Sequence, residues 1–186
     1  MSLAACGTAA RSARGYGGAD LVVRDLCRNL GRSKGLAVLS LFADSARLDI
    51  EDVSVSFGGR GDIARFAEYA AAVHERLTAR EFEVAQDTVH CRLEESNDWL
   101  GLLGVRRAFY NGRFLVSGGK ILGAQIDPTP ETREELSGKL AGFLSWLLTQ
   151  DPKVLREVLP GGRPAYDARV VPELIRRLRQ WRSRTR

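Results

Sequence analysis

Three titratable side chains alternate along the stretch "HCRLEES", residues 90–96. His90, Arg92 and Glu94 are spaced i, i+2 and i+4, so in a β-strand they share one face. Together they could form an acid–base site, in which Glu94 acts as the base, Arg92 donates to a developing oxyanion and His90 carries the proton. We therefore take these three residues as candidate catalytic groups.

The same stretch has a second interpretation. Val89, Cys91 and Leu93 would then face the core, and the three titratable residues would form a solvated ladder on the other face. Antiparallel sheets commonly have one apolar and one polar face, so the sequence leaves both interpretations open.

A second group of acids surrounds one aliphatic residue in the segment "RLDIEDVSVSF". Strand alternation places Leu48, Ile50 and Asp52 on one face and Asp49 and Glu51 on the other. Buried carboxylates without a partner are rare, so we expect Asp49 and Glu51 to be solvated. Asp52 is the better candidate for a catalytic base, and Ile50 is a candidate ligand contact.

Four further residues are candidate ligand contacts. A tyrosine hydroxyl or a glutamine amide can hydrogen-bond a ligand carbonyl, and aromatic rings supply apolar contact. These candidates are Trp99, Tyr110, Phe114 and Gln125. A plain core role is an open alternative for the tyrosine and the tryptophan.

No motif indicates a metal, a nucleotide or a disulfide. Cys6, Cys27 and Cys91 are odd in number and scattered, which disfavours a zinc site or a disulfide framework and fits a reducing cytoplasm. The glycine-rich "GGRGD" lacks the spacing of a phosphate-binding loop. We expect neither a metal nor a cofactor.

Hydrophobic periodicity predicts the elements that would position these residues. The predicted helices span 20–31, 33–42, 62–79, 130–150 and 171–181, with a short helical insertion at 97–105. The predicted strands span 47–57, 80–86, 87–96, 106–116 and 120–127. Because consecutive strands are flanked by helices, without strand–helix alternation, the order predicts an α+β fold. A curved sheet wrapped against helices would enclose an apolar cavity, a common small-molecule site.

Composition changes along the chain predict three regions. Residues 1–19 contain no acid and many small residues, which predicts a disordered segment. Residues 20–148 hold the predicted α+β domain. Residues 149–186 form a basic helical extension whose last helix has an apolar stripe.

Three short motifs in the right order resemble the nuclear-transport-factor-two-like superfamily, also called SnoaL-like. They are a "FAD-x-A" segment before a strand, a glycine followed by "I-x-x-F" opening a helix, and a late "F…GKI" hairpin. The matching residues are Phe42, Ala43, Asp44, Ala46, Gly59, Ile63, Phe66, Phe114, Gly119, Lys120 and Ile121.

The resemblance implies a fold more firmly than a reaction. Family members have a strongly curved antiparallel sheet that forms a cone, closed by N-terminal helices, and are usually dimeric. The general base of ketosteroid isomerase falls at Ile50, which cannot accept a proton. Arg92 and Glu94 match an Arg-x-Asp pair of limonene-epoxide hydrolase, but the second acid of that relay falls at Ile126.

The expected function is thus a cone-shaped domain that binds a small, moderately apolar molecule. It could act as a cofactor-independent acid–base enzyme of the isomerase, cyclase, dehydratase or epoxide-hydrolase type. The alternative is a non-catalytic ligand-binding or dimerisation module. We expect a homodimer, in keeping with the resemblance.

Composition argues against two other classes of partner. The 186 residues include 44% hydrophobic and 27% charged residues, and no apolar run approaches the roughly 18 residues of a membrane span. Residues 151–186 contain ten Lys or Arg and four Asp or Glu, whereas residues 1–150 have a net charge of −1. A nucleic-acid reader more often carries basic charge across its folded body, so we expect neither a membrane nor a nucleic-acid partner.

Overall fold

The computed structural model describes residues 18–32, 35–51, 54–158, 160 and 165–184. The predicted segment 1–19 therefore lies outside the described residues except for its last two positions. Asp52, the candidate base beside Ile50, also lies outside them.

The described residues form seven α-helices, six strands and a short 3-10 turn. The helices are α1 (Ala19–Asn29), α2 (Gly35–Leu41), α3 (Gly59–Ala72), α4 (Asp98–Leu103), α5 (Pro130–Gln150), α6 (Pro152–Val158) and α7 (Val171–Arg184). The strands are β1 (Phe42–Ile50), β2 (Val55–Gly58), β3 (Arg76–Ala85), β4 (Thr88–Ser96), β5 (Ala108–Ser117) and β6 (Lys120–Pro128), and the 3-10 turn spans Ala168–Val170.

All six strands belong to one sheet in the order β2-β1-β6-β5-β4-β3. Its neighbouring strands are antiparallel except for β1 and β6, which pair in parallel. Irregular register in β1, β3 and β6 marks β-bulges, which bend a sheet and increase its twist. The α+β class and the curved sheet predicted from the sequence are confirmed.

Two predicted boundaries are wrong. The predicted strand 47–57 is a hairpin, in which Ile50 pairs with Val55 across β1 and β2. The predicted helix 62–79 ends at Ala72, because residues from Arg76 onwards pair with β4 as strand β3. Long-range pairing overrides the local helical pattern there.

Two large layers of apolar packing, and a smaller cluster between α3 and α7, form the core. The inner layer lies between α1, α3 and the concave face, with Val23, Ile63 and Phe114 fully buried. The second layer joins α4 to α5 and α7, where Phe143 and Leu178 are buried. The C-terminal helices therefore pack against the domain as part of the same body of apolar contacts.

Candidate functional site

A small cavity of about 80 Å³ lies between the concave face of the sheet and the helices. Most of its wall is apolar, and six of its apolar wall residues are Leu26, Leu48, Ile50, Phe66, Leu93 and Phe114. An engineered cavity of about 150 Å³ holds benzene, so the space seen here fits a group of only a few heavy atoms.

Four of the five predicted ligand contacts lie on the cavity wall. Ile50, Trp99, Tyr110 and Phe114 all line it. Gln125 does not: its side chain donates a hydrogen bond to Oε1 of Glu51, 2.9 Å away, at the exposed edge of the hairpin. Alternation explains the difference, since the next residue of β6 points to the opposite face.

The three candidate catalytic residues of β4 lie on the face of the strand that points away from the cavity. Glu94 pairs with Arg107 at 2.8 Å and with Arg80 at 3.6 Å. Arg92 donates to the side chain of Asn111, and His90 is exposed. These contacts fit the solvated-ladder interpretation, and the structure does not bring the three residues to the cavity.

The inward face of β4 carries a different carboxyl group. After the buried Val89, Cys91 and Leu93, the next inward residue is Glu95, which lines the cavity. Glu95 retains some exposure as a residue, whereas its carboxyl group is surrounded by protein.

Two neutral donors hold the Glu95 carboxyl group. The Tyr110 hydroxyl donates a hydrogen bond to it, and Nδ2 of Asn97 donates to Oε1 at 2.5 Å. Asn97 is fixed in turn, because its Oδ1 caps α4 by accepting from the backbone N–H of Leu100 at 2.8 Å.

A second buried carboxyl group reaches the cavity from the residue immediately before β3. Glu75 is only 8% exposed and lines the cavity. Its neighbour His74 has a left-handed backbone, φ 52°, and faces outward to pair with Asp98 at 2.8 Å. Gly31 packs directly on the Glu75 backbone: a Cβ at Gly31 would lie 1.8 Å from the Glu75 carbonyl oxygen. The turn that follows α1 thus packs against the backbone of this acid.

Part of the cavity wall comes from the C-terminal extension. The ring of Tyr166 lies 5.0 Å from that of Tyr69, 5.5 Å from Phe57 and 6.5 Å from Phe66, measured between centroids. Its φ of 43° is in the left-handed region, which is unfavourable for a bulky side chain. The aromatic contacts hold Tyr166 against the cavity in this strained conformation.

Comparison with known proteins rests on structure. No family model and no curated protein matches the sequence. A hypothetical protein with a ketosteroid isomerase-like fold from Catenulispora acidiphila, in complex with trimethylamine, superposes with a TM-score of 0.52 and 14% identity, over 63% of this chain and 92% of that chain. The epoxide hydrolase/cyclase-like enzyme SalBIII, which has a role in pyran ring formation in salinomycin, superposes with a TM-score of 0.52 and 15% identity, over 61% and 92%. A putative ketosteroid isomerase from Kribbella flavida gives 0.51 and 15%, over 60% and 77%.

The chain has the nuclear-transport-factor-two-like fold. At these identities the likeness defines the architecture and leaves the reaction undetermined. The cone cavity of this nuclear-transport-factor-two-like fold is the cavity that contains the two buried acids.

Burial raises the pKa of both acids. It raises the pKa of Glu75 well above its usual range, and the nearby Glu95 carboxyl raises it further. Burial also raises the pKa of Glu95, and the hydrogen bonds from Tyr110 and Asn97 offset part of that rise. Two carboxyl groups in one poorly solvated site do not both ionise readily, so the pair retains a proton that exposed carboxyl groups would have lost.

The described residues of this nuclear-transport-factor-two-like fold contain no group of three or more His, Cys, Asp or Glu that could hold a metal ion. Burial raises the pKa of Cys27 to about 12 and that of Cys91 to about 11, so both thiols stay protonated at neutral pH. Within the described part of the chain, no helix is both long and apolar enough to cross a membrane.

Sequence reasoning missed Glu75, Glu95 and Tyr166. A signal existed for Glu95, because it continues the inward alternation of Val89, Cys91 and Leu93. Glu75 was hidden by the wrong helix boundary. Tyr166 lies 38 positions after the last residue of β6, at Pro128, and no local pattern connects it to the cone.

Proposed function

We propose that the cone cavity binds a small molecule and that the Glu75–Glu95 pair, with Tyr110, exchanges a proton with it. The supporting observation is a pair of buried carboxyl groups, one of them held by a tyrosine hydroxyl, on the wall of an otherwise apolar cavity. Buried titratable groups with shifted pKa values in a pocket are typical of functional sites.

The roles follow from the environments of the groups. A carboxyl group with a raised pKa can give up and take back a proton near neutral pH, as a general acid–base requires. Glu95 is the group that exchanges the proton, and the Glu95 carboxylate keeps the neighbouring Glu75 protonated. When Glu95 has taken up a proton, the Tyr110 hydroxyl can donate to a developing oxyanion instead of to Glu95. Such a set suits isomerisation, cyclisation or dehydration without a cofactor.

The size of the cavity and one structural neighbour support a small guest. The cavity volume of about 80 Å³ is well below the roughly 300–1,000 Å³ of sites for drug-sized ligands. A solved protein of the same fold is in complex with trimethylamine, which is a ligand of only a few heavy atoms.

Hydrogen–deuterium exchange tests the proposal directly. The protein would be incubated in D₂O with a panel of small ketones, some neutral and some carrying an amine, and exchange at the carbon next to the carbonyl would be followed by proton NMR. We expect the wild type to accelerate exchange of at least one ketone. Glu95→Gln should lower that rate by about 10²–10⁴-fold, the usual contribution of a general acid–base.

Glu94→Gln is the matched control, because it makes the same change at the adjacent position of β4, on the face away from the cavity. It should retain the wild-type exchange rate. Equal rates in wild type and Glu95→Gln would remove the catalytic role. Saturable binding of a ketone without accelerated exchange would contradict the catalytic role and support a non-catalytic binding protein.

A second candidate function, a dimerisation module, is favoured by the outer face of the sheet. Three large apolar residues are exposed there: Phe109 at 36%, Leu122 at 39% and Leu115 at 43%. Leu115 and Leu122 lie near each other on the adjacent strands β5 and β6, and a patch of exposed apolar residues can mark a protein–protein interface. Light scattering of the wild type should give the mass of a dimer, and Leu115→Glu should shift it to that of a monomer. A wild-type monomer would reject this function.

A further inference from the structure

The cavity wall combines two carboxyl groups with no basic side chain. Among the described residues that line it, none is Lys, Arg or His. His74, adjacent to Glu75 in sequence, faces outward to Asp98. Arg24, which lies on the helix that contributes Leu26 to the wall, pairs with Asp20 and lies over the ring of Phe82, 3.9 Å from its centroid.

This composition is unusual for a buried site. Buried charged groups are normally paired with an opposite charge. The hydrogen-bond partners of Glu95 are neutral. Because no cationic side chain lines the wall, protonation is the way in which either acid loses its negative charge. A ligand that brings its own positive charge would replace that proton.

Aromatic rings complete the site. Phe66, Tyr69, Trp99, Phe114 and Tyr166 all line the cavity, and Tyr69 and Tyr166 pack with their ring centroids 5.0 Å apart. The faces of aromatic rings attract cations, and the attraction is strongest where water is excluded. Apolar substituents on the same cation would contact Leu48 and Leu93.

We infer that the ligand of the cone cavity carries a positively charged nitrogen with small apolar substituents, a methylated or short-chain alkylammonium group. This inference rests on the proposed function only in using the same cavity. Within that function, one carboxylate neutralises the ammonium group, and the other remains available for proton transfer.

Charge can be tested separately from binding with two probes of similar shape. Trimethylammonium and tert-butanol each place three methyl groups around a central atom, but only the first is charged. Isothermal titration at pH 8 should give at least tenfold tighter binding of trimethylammonium to the wild type. The Glu75→Gln/Glu95→Gln variant should lose this preference and retain whatever affinity it has for tert-butanol.

The matched control is Glu94→Gln, which removes one negative charge from the outer face and should retain the preference. The glutamine replacements are isosteric, so circular dichroism should show a folded double variant. If the double variant fails to fold, the wild type and its response to pH still decide.

Proton release gives that independent readout. Trimethylammonium should displace protons from the acid pair, so the measured heat should depend on the ionisation enthalpy of the buffer, and affinity should rise with pH. The titratable groups facing the pair are Tyr69 from α3, Tyr110 from β5, Tyr166 from the C-terminal segment and Cys27 from α1. Burial raises the pKa of Tyr69, Tyr110 and Cys27, so these groups keep their protons. Proton release that persists in Tyr166→Phe would then come from the two acids, and its loss in that variant would overturn this assignment.

The outcomes separate the two proposals. Binding of tert-butanol as tight as that of trimethylammonium would overturn the cation inference and leave the cavity as a binding site. A trimethylammonium preference unchanged in the double variant would also overturn it. If neither probe binds, both the inference and the proposed small-molecule site fail.

Discussion

At the scale of single residues, the chemistry of this cavity depends on a one-residue difference along β4. Glu94 and Glu95 are adjacent in sequence, yet one pairs with arginines on the outer face and the other lies on the cavity wall. Strand alternation separates them completely. The two residues therefore form a natural pair of test and control positions.

The buried pair predicts that stability falls as pH rises. A carboxyl group whose pKa is higher in the folded state than in the unfolded state keeps its proton longer when folded, so its favourable contribution is complete below the unfolded pKa of about 4.5 and disappears as pH rises through the folded pKa. Between about pH 5 and pH 8, the free energy of unfolding should fall by up to about 1.4 kcal/mol per pH unit for each proton retained.

Urea denaturation across this range checks the prediction. Glu75→Gln should flatten the slope and be more stable than wild type at pH 8, because it removes the buried acid whose ionisation burial and the nearby Glu95 disfavour. Glu94→Gln should keep the wild-type slope. A rise in wild-type stability from pH 5 to pH 8 would contradict the assignment of raised pKa values.

At the scale of elements, the sequence predicted what local pattern can determine. Alternation and the turn at Gly118 and Gly119 located the β5–β6 hairpin, and periodicity located α5 at residues 130–150. The start of β3 was missed, because Arg76–Ala79 continues a helical pattern and becomes a strand only by pairing with β4. With that boundary, the position of Glu75 was lost as well.

The candidate site was harder to predict than the fold, for a physical reason. Titratable side chains that share one face of a strand indicate a catalytic site, and on this basis the sequence predicts His90, Arg92 and Glu94 as catalytic residues. The two carboxyl groups in the cavity, Glu75 and Glu95, lie 20 positions apart in sequence, and only the diagonal contact between strands joins Glu95 to Tyr110. Such contacts depend on the register, which local sequence does not specify.

The segment before α7 predicts a change in the size of ligand accepted. Tyr166→Ala removes a ring that packs on Tyr69, Phe57 and Phe66, so the cavity should grow by the volume of that ring. The variant should bind benzene, measured by ligand-observed NMR, at least tenfold more tightly than the wild type.

Tyr166→Phe is the matched control, because it keeps the ring in place and removes only the hydroxyl group. It should behave as the wild type toward benzene. Equal benzene binding in all three proteins would mean that the Tyr166 ring does not limit the cavity.

At the scale of the whole molecule, the C-terminal helices join the two layers of packing. Helix α7 buries Val171 and Ile175 against α3, and Leu178 against the layer formed by α4 and α5. Arg177, largely buried, pairs with Asp151 at 2.5 Å and with Glu173 at 2.8 Å. The extension is therefore a structural cover of the cone as well as a source of its wall.

This arrangement predicts that a substitution far from the cavity changes both stability and binding. Leu178 is fully buried, so Leu178→Ala should lower the free energy of unfolding by about 2–5 kcal/mol, the usual cost of such a cavity. Tyr166 lies five residues before the start of α7. If the packing of α7 is weakened, the Tyr166 ring should be positioned less firmly against the cavity, and benzene binding should increase. Arg179→Ala, an exposed change one position further along the same helix, should alter neither quantity by a measurable amount. A loss of stability below about 1 kcal/mol in Leu178→Ala, measured by urea denaturation, would mean that α7 does not pack on the domain in solution.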